Sequence, residues 1–210
     1  DIVSAGNPAS LKIIGDMTLS FWVYPTDVSA ARENPIDKAY CGEFGITQET
    51  TGQLSYFHGP NGGEVIGYMS IAWQGIFIDD EWIHLVIVRD VSNQSVKLYR
   101  NGIEYDNGTR SAEGWVRPSV STQPFTIGDG YAGSGFRGLI DDVLVFNRTI
   151  TSQEVSALYA DSISKTISVN LTLTDGLTEG NHVFNGYVQD RLGNVNYESA
   201  RTITISPPGV

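Results

Sequence analysis

The side chains with chemistry to offer are two runs of carboxylates, a histidine inside an apolar strand, one cysteine and a scatter of aromatic residues. Hydrolysis of a glycosidic bond needs two carboxyl groups facing one cleft, about 5 Å apart when the configuration is retained. Asp79, Asp80 and Glu81 are consecutive, so they cannot share one face of a strand, and they read as a solvated turn. Asp141 and Asp142 are adjacent and face opposite ways on a regular strand. His84 stands in EWIHLVIVRD with no Ser or Cys motif beside it, the setting of a packed residue rather than a general base. Cys41 is the only cysteine, which rules out an intrachain disulfide and a cysteine-based metal site. Residues 129–135 are glycine-rich, but no Lys-Ser/Thr and no helix follow to make a phosphate cradle. The chain is therefore expected to be non-catalytic.

Binding is the remaining kind of chemistry. Period-two alternation over Leu139 to Phe146 puts Asp141 with Val143 and Val145 on one face, and Asp142 with Leu144 and Phe146 on the other. An inward Asp141 has to be neutralised or hydrogen-bonded. Tyr56, His58, Tyr68 and Trp73 surround the glycine-rich loop at residues 58–63 and are the ligand-binding candidates. Trp22 lies in a continuous apolar strand and reads as a core residue. N-x-[ST] triplets at Asn93, Asn107, Asn147 and Asn170 are glycosylation candidates.

The elements that must position these residues are strands. Met17 to Tyr24 (MTLSFWVY) is a strand with apolar residues at alternate positions, Glu81 to Asp90 is a buried apolar strand, and Val96 to Tyr105 is a hairpin turning at Asn101-Gly102. Lys38 to Tyr56 gives two short strands, Glu64 to Phe77 is mostly strand, and Phe125 to Gly128 is short. After the Leu139 strand, Thr151 stands three residues before Glu154 as a capping box, and Val155, Leu158 and Tyr159 continue at helical spacing.

These stretches resemble a laminin-G-like domain of the concanavalin A-like lectin and glucanase superfamily. The resemblance is carried by FRGLIDDVLVFNR…LY at Phe136 to Tyr159, by MTLSFWVYP, by the W-x-H strand around His84, and by LYRNG at residues 98–102. It implies an all-β fold, a two-sheet antiparallel jelly-roll sandwich over residues 1–162 with a short C-terminal helix. It also implies that Asp141 holds a structural Ca²⁺ with backbone carbonyls. Relative to the family pattern the chain lacks a preceding strand, so it reads as a piece of something longer. The family's glycosidases carry an E-x-D-x-x-E strand that is absent here.

From residue 163 the pattern changes. Alternation at Ile167 to Leu173, a turn at Asp175-Gly176, a strand at His182 to Val188 and another at Thr202 to Ser206 resemble the second half of a bacterial or archaeal immunoglobulin-like module. A whole module takes about 100 residues, so residues 163–210 form a partial immunoglobulin-like β segment.

Over 210 residues, 13 basic against 24 acidic side chains give a net charge of −11, and no Lys/Arg stripe interrupts it. Nucleic acid as a partner is excluded on that ground. No apolar run is long enough to span a membrane. The function expected is extracellular or cell-surface adhesion, recognising a carbohydrate or a protein. The alternatives are a structural subunit of a surface layer or filament that exchanges strands with its own copies, and a glycoside hydrolase or its accessory domain.

Overall fold

Alternation of apolar residues is strict where two sheets face each other, and it decides which side of each strand is core. The computed structural model describes residues 1–30, 32–62, 67–106, 108–110, 114–130, 135–163, 178, 180–184, 187–189, 195–197 and 201–205. In chain order the strands are β1 (Val3–Gly6), β2 (Met17–Pro25), β3 (Glu33–Ala39), β4 (Phe44–Glu49), β5 (Gln53–His58) and β6 (Met69–Trp73). They continue as β7 (Ile83–Asp90), β8 (Ser95–Arg100), β9 (Ile103–Glu104), β10 (Thr109–Arg110), β11 (Phe125–Ile127) and β12 (Gly138–Phe146), followed by helix α1 (Ser152–Ile163).

They form a seven-stranded sheet, β1-β11-β3-β4-β5-β6-β10, and a five-stranded sheet, β12-β2-β7-β8-β9, each paired antiparallel throughout. Leu19, Phe21, Val23, Leu85 and Ile87 of the smaller sheet pack against Ile36, Ile46, Leu54, Tyr56 and Ile71 of the larger one. This is the jelly-roll sandwich that the sequence implies. Arg89 is fully buried and locks the N-terminal segment to it, donating to the carbonyls of Ile13 and Gly15 and to Tyr56 Oη.

The outer face of the five-stranded sheet is half covered by α1. The capping box is present: Thr151 Oγ1 accepts from Glu154 N at 3.2 Å, and Glu154 Oε2 accepts from Thr151 N at 2.7 Å. Val155 and Leu158 pack on Val86, Val88, Tyr99 and Phe146, and Tyr159 stacks on Trp22 and His84 with ring centroids 5.8 Å apart in each case. Trp22 is thus half-buried beneath the helix and not in the sandwich core, because Ser20, Trp22 and Tyr24 take the face that Leu19, Phe21 and Val23 leave free.

A second correction concerns β12. The pairing with β2 slips between Asp141 and Leu144, and Asp142 adopts φ 46°, so a bulge breaks the period of two. Ile140, Val143 and Val145 face the core, while Leu139, Asp141, Leu144 and Phe146 face outward. Asp141 is exposed, and its Oδ1 accepts from Asp142 N at 2.8 Å.

The chain divides into two units, residues 1–165 and 166–210. Within the second, β13 (Gly180–Phe184) pairs with β16 (Arg201–Ile205) and β14 (Tyr187–Gln189) with β15 (Val195–Tyr197). The single strand expected over His182 to Val188 is divided between β13 and β14, and the one expected over Ile167 to Leu173 lies outside the described residues.

Candidate functional site

Strand β3 carries the site and has the composition least like a strand. It reads ENPIDKA, yet all seven residues are buried, and its pairing with β4 slips twice, between Glu33 and Ile36 and between Asp37 and Ala39. Those irregularities bring Asn34 and Asp37 to the outer face of the seven-stranded sheet. Thr47 of β4 and Phe57 of β5 point the same way, since Ile46, Tyr56 and His58 face the core. Arg32, Asn34, Asp37, Tyr40, Thr47, Phe57 and Tyr68 together line a surface cavity of about 120 Å³.

Two glycines make room for the polar members. A Cβ at Gly45 would lie 2.5 Å from Asp37 Oδ1, and one at Gly130 would lie 2.5 Å from Asn34 Cγ. Three aromatic rings form the apolar side, meeting edge to face: Tyr40 with Tyr68 at 5.3 Å, Phe57 with Tyr68 at 5.5 Å and Tyr40 with Phe57 at 6.1 Å. The Arg32 guanidinium lies 5.9 Å from the centre of the Phe57 ring. Glu49 orients two groups at once, accepting from Thr47 Oγ1 at 2.8 Å and from Arg32 Nε at 3.4 Å.

Asn34 is the unusual member. It is only 3 % exposed and its Nδ2 donates to Ile46 O, while its Oδ1 has no hydrogen-bond donor among the described residues. A buried amide oxygen left this way costs about 1–3 kcal/mol. On the other side of Asp37 lies a second cavity of about 190 Å³, lined also by Lys38, Gln123, Pro124, Thr126, Asp129 and Gly130.

Of the aromatic residues singled out in the sequence, Tyr68 alone lines this cavity. Tyr56, His58 and Trp73 are corrections, because the odd-even phase of β5 and β6 turns all three into the core. Tyr56 Oη accepts from Arg89, and His58 bonds Tyr56 Oη and Val116 O. Phe57, Asn34, Asp37 and Arg32 were missed. Phe57 was within reach, since Leu54 and Tyr56 inward puts Phe57 outward, but the polar residues of β3 give no periodic signal.

Asp141, expected as an inward ligand of a structural Ca²⁺, has an exposed carboxylate. The inward carboxylate on which that expectation rests is outward, and among the described residues no three His, Cys, Asp or Glu side chains come together as a metal-holding group. Asn93 and Asn147 are exposed, whereas Asn107 and Asn170 lie outside the described residues.

The sequence of residues 1–156 matches the family model of a laminin-G-type domain, described as concanavalin A-like lectin/glucanases superfamily. The chain belongs to that superfamily. No curated protein matches it in sequence. Among solved structures it is similar to the CBM40 of the Ruminococcus gnavus IT-sialidase, determined with α2,3-sialyllactose bound, at 13 % identity and TM-score 0.57, covering 72 % of this chain and 86 % of that one. It is also similar to the receptor binding domain of botulinum neurotoxin D (14 % identity, TM-score 0.58, 78 % of this chain, 42 % of that one). The binding domain of Paraclostridial Mosquitocidal Protein 1 is a third, at 18 % identity and TM-score 0.57, covering 78 % of this chain and 41 % of that one. The chain thus spans about two fifths of the toxin-domain chains. At these identities the likeness is one of fold.

Proposed function

We propose that this superfamily member is a non-catalytic binding module that takes a carbohydrate in the Asn34–Phe57–Tyr68 cavity, serving adhesion as part of a larger secreted or cell-surface protein. The observation that carries the reading is Asn34 Oδ1, a buried acceptor with no donor among the described residues, beside three aromatic rings. A sugar offers both complements, hydroxyl donors for the acceptor and apolar C–H faces for the rings. A cavity of about 120 Å³ equals the liquid volume of roughly four waters, which suits one edge of one sugar residue, with the neighbouring cavity across Asp37 available to a second residue. The solved sialidase module of similar fold holds a sialylated trisaccharide, which supports the ligand class without fixing the sugar.

Hydrolysis is not favoured, because the strand with carboxylates at alternate positions on which a glycosidase of this fold relies is absent from the sequence. Strand exchange through the longest edge strand, β12, is not favoured either, since its bulge and its paired Asp141 and Asp142 are devices that block strand addition. On an extracellular reading, Asn93 and Asn147 are the sequons open to glycosylation, and residues 163–210 belong to an immunoglobulin-like neighbour.

The test is a glycan array probed with the full chain and with its Tyr68→Ala and Asn34→Leu variants. A glycan class held by the wild type and bound about tenfold or more weakly by both variants, with unchanged circular dichroism, supports the site. Retention of the same glycans by both variants, or no glycan retained by the wild type, overturns it.

A further inference from the structure

The opposite sheet presents a second surface, unrelated to the cavity. At the end of the five-stranded sheet that α1 leaves uncovered, Leu139 pairs directly with Tyr24, and the Trp82 ring lies 5.6 Å from that of Tyr24. Leu139 is 57 % exposed and Trp82, the residue just before β7, is 44 % exposed, so an apolar row runs from β12 across β2 to the start of β7. The row is backed by Trp22, whose ring is 6.5 Å from Trp82 and fixed beneath Tyr159. An exposed Trp82 and Leu139 flanking a half-buried Tyr24 form a contiguous apolar patch, and a patch of this kind marks an interaction surface.

Its rim is acidic. Desolvation of the half-buried Tyr24 phenol, and after it the charge of Asp80 and a hydrogen bond to Asp80, hold that phenol above its ordinary range. Asp141 lies opposite Trp22 on the same face, and Asp142 and Glu81 are exposed beside them. Among the described residues, Arg137 pairs with Asp27 and Glu33, and Arg100 lies 4.0 Å from Glu81. Carboxylates around exposed aromatic faces attract a cation twice, by charge and by the ring quadrupole.

We propose that the Leu139–Tyr24–Trp82 row, rimmed by Asp80 and Asp141, is a docking surface for a positively charged segment of a partner protein, seating a Lys or Arg side chain on Trp82 and Tyr24. The row supplies apolar contact for the stem of that side chain, and the rim supplies its counter-charge. Charge complementarity selects this occupant, since the exposed Asp141 and Asp142 pair with no cation among the described residues.

The probe is the capped peptide Ac-Gly-Arg-Gly-Lys-Gly-Arg-NH₂, titrated into the full chain at low and at physiological salt and followed by tryptophan emission and calorimetry. Saturable binding that weakens about tenfold in Trp82→Ala and about threefold in Asp141→Asn is expected, with no change in Asp161→Asn, an exposed carboxylate on α1. Tyr24→Phe, which keeps the ring and loses the contact to Asp80, guards against a variant that fails to fold. No saturable binding overturns the proposal. So does equal weakening in Asp141→Asn and Asp161→Asn, which would mean attraction to net charge alone, or binding by neutral oligosaccharides on Trp82 without the peptide.

Discussion

Acid should unfold this protein earlier than its carboxylates alone would dictate, and His84 is the reason. The ring is 2 % exposed, packs against both Trp22 and Tyr159, and has Ser20 Oγ 2.9 Å from Nε2. Burial pushes its pKa down to about 4, against about 6.5 for an unfolded histidine. Between those values the unfolded chain binds a proton that the folded chain refuses. The stability held by the neutral ring is therefore complete above about pH 6.5, falls as pH drops, and levels off below the folded value near 4. Relative to pH 7 the loss integrates to about 2 kcal/mol at pH 5 and about 3 kcal/mol at pH 4. Urea denaturation of the wild type and of His84→Gln at pH 7, 6, 5 and 4 isolates the effect, since the carboxylates titrate alike in both. The difference in unfolding free energy between the two should change with pH by those amounts. Parallel curves would refute the reasoning and mean that His84 accepts its proton inside the fold.

Other perturbations probe the scaffold. Gly52 has φ +70° and its carbonyl accepts from both Ile76 and Phe77, and a Cβ there would sit 2.2 Å from Phe77 O. Gly52→Ala should cost about 2 kcal/mol or more, read as a lower urea midpoint, and an unchanged midpoint would contradict that packing. Thr151→Ala removes the acceptor for Glu154 N and should cost about 1 kcal/mol, measured the same way. Replacing Arg89 by Met orphans the buried carbonyls of Ile13 and Glu43 and should destabilise by about 2–4 kcal/mol, with faster proteolysis within the first fifteen residues.

What could be read from the sequence was what depends on local chemistry. The capping box of α1 and the Asn101-Gly102 hairpin, whose two residues take φ 52° and 81°, need only neighbours in the chain to form. Strand β2 was legible because Leu19, Phe21 and Val23 alternate into the core, and β7 because it is a continuous apolar run, buried between the sandwich core and α1. Strand β3 was not, because its Glu33, Asn34, Asp37 and Lys38 are buried among partners far away in sequence. Lys38, for example, donates to Asn7 and to the Gln123 carbonyl. The same remoteness concealed the site that β3 builds. Asp141 misled for a different reason: the bulge at Asp142 shifts the phase by one residue, and nothing in LIDDVLV announces it.

The most direct measurement is a nuclear magnetic resonance titration of the wild-type chain with the best glycan from the array, following the Asn34 side-chain amide and the Phe57 and Tyr68 ring signals. The account expects those three to shift together and saturate with one affinity, while Tyr56, His58 and Trp73 in the core stay still. Saturable glycan binding that moves other residues and leaves Asn34, Phe57 and Tyr68 unchanged would contradict it.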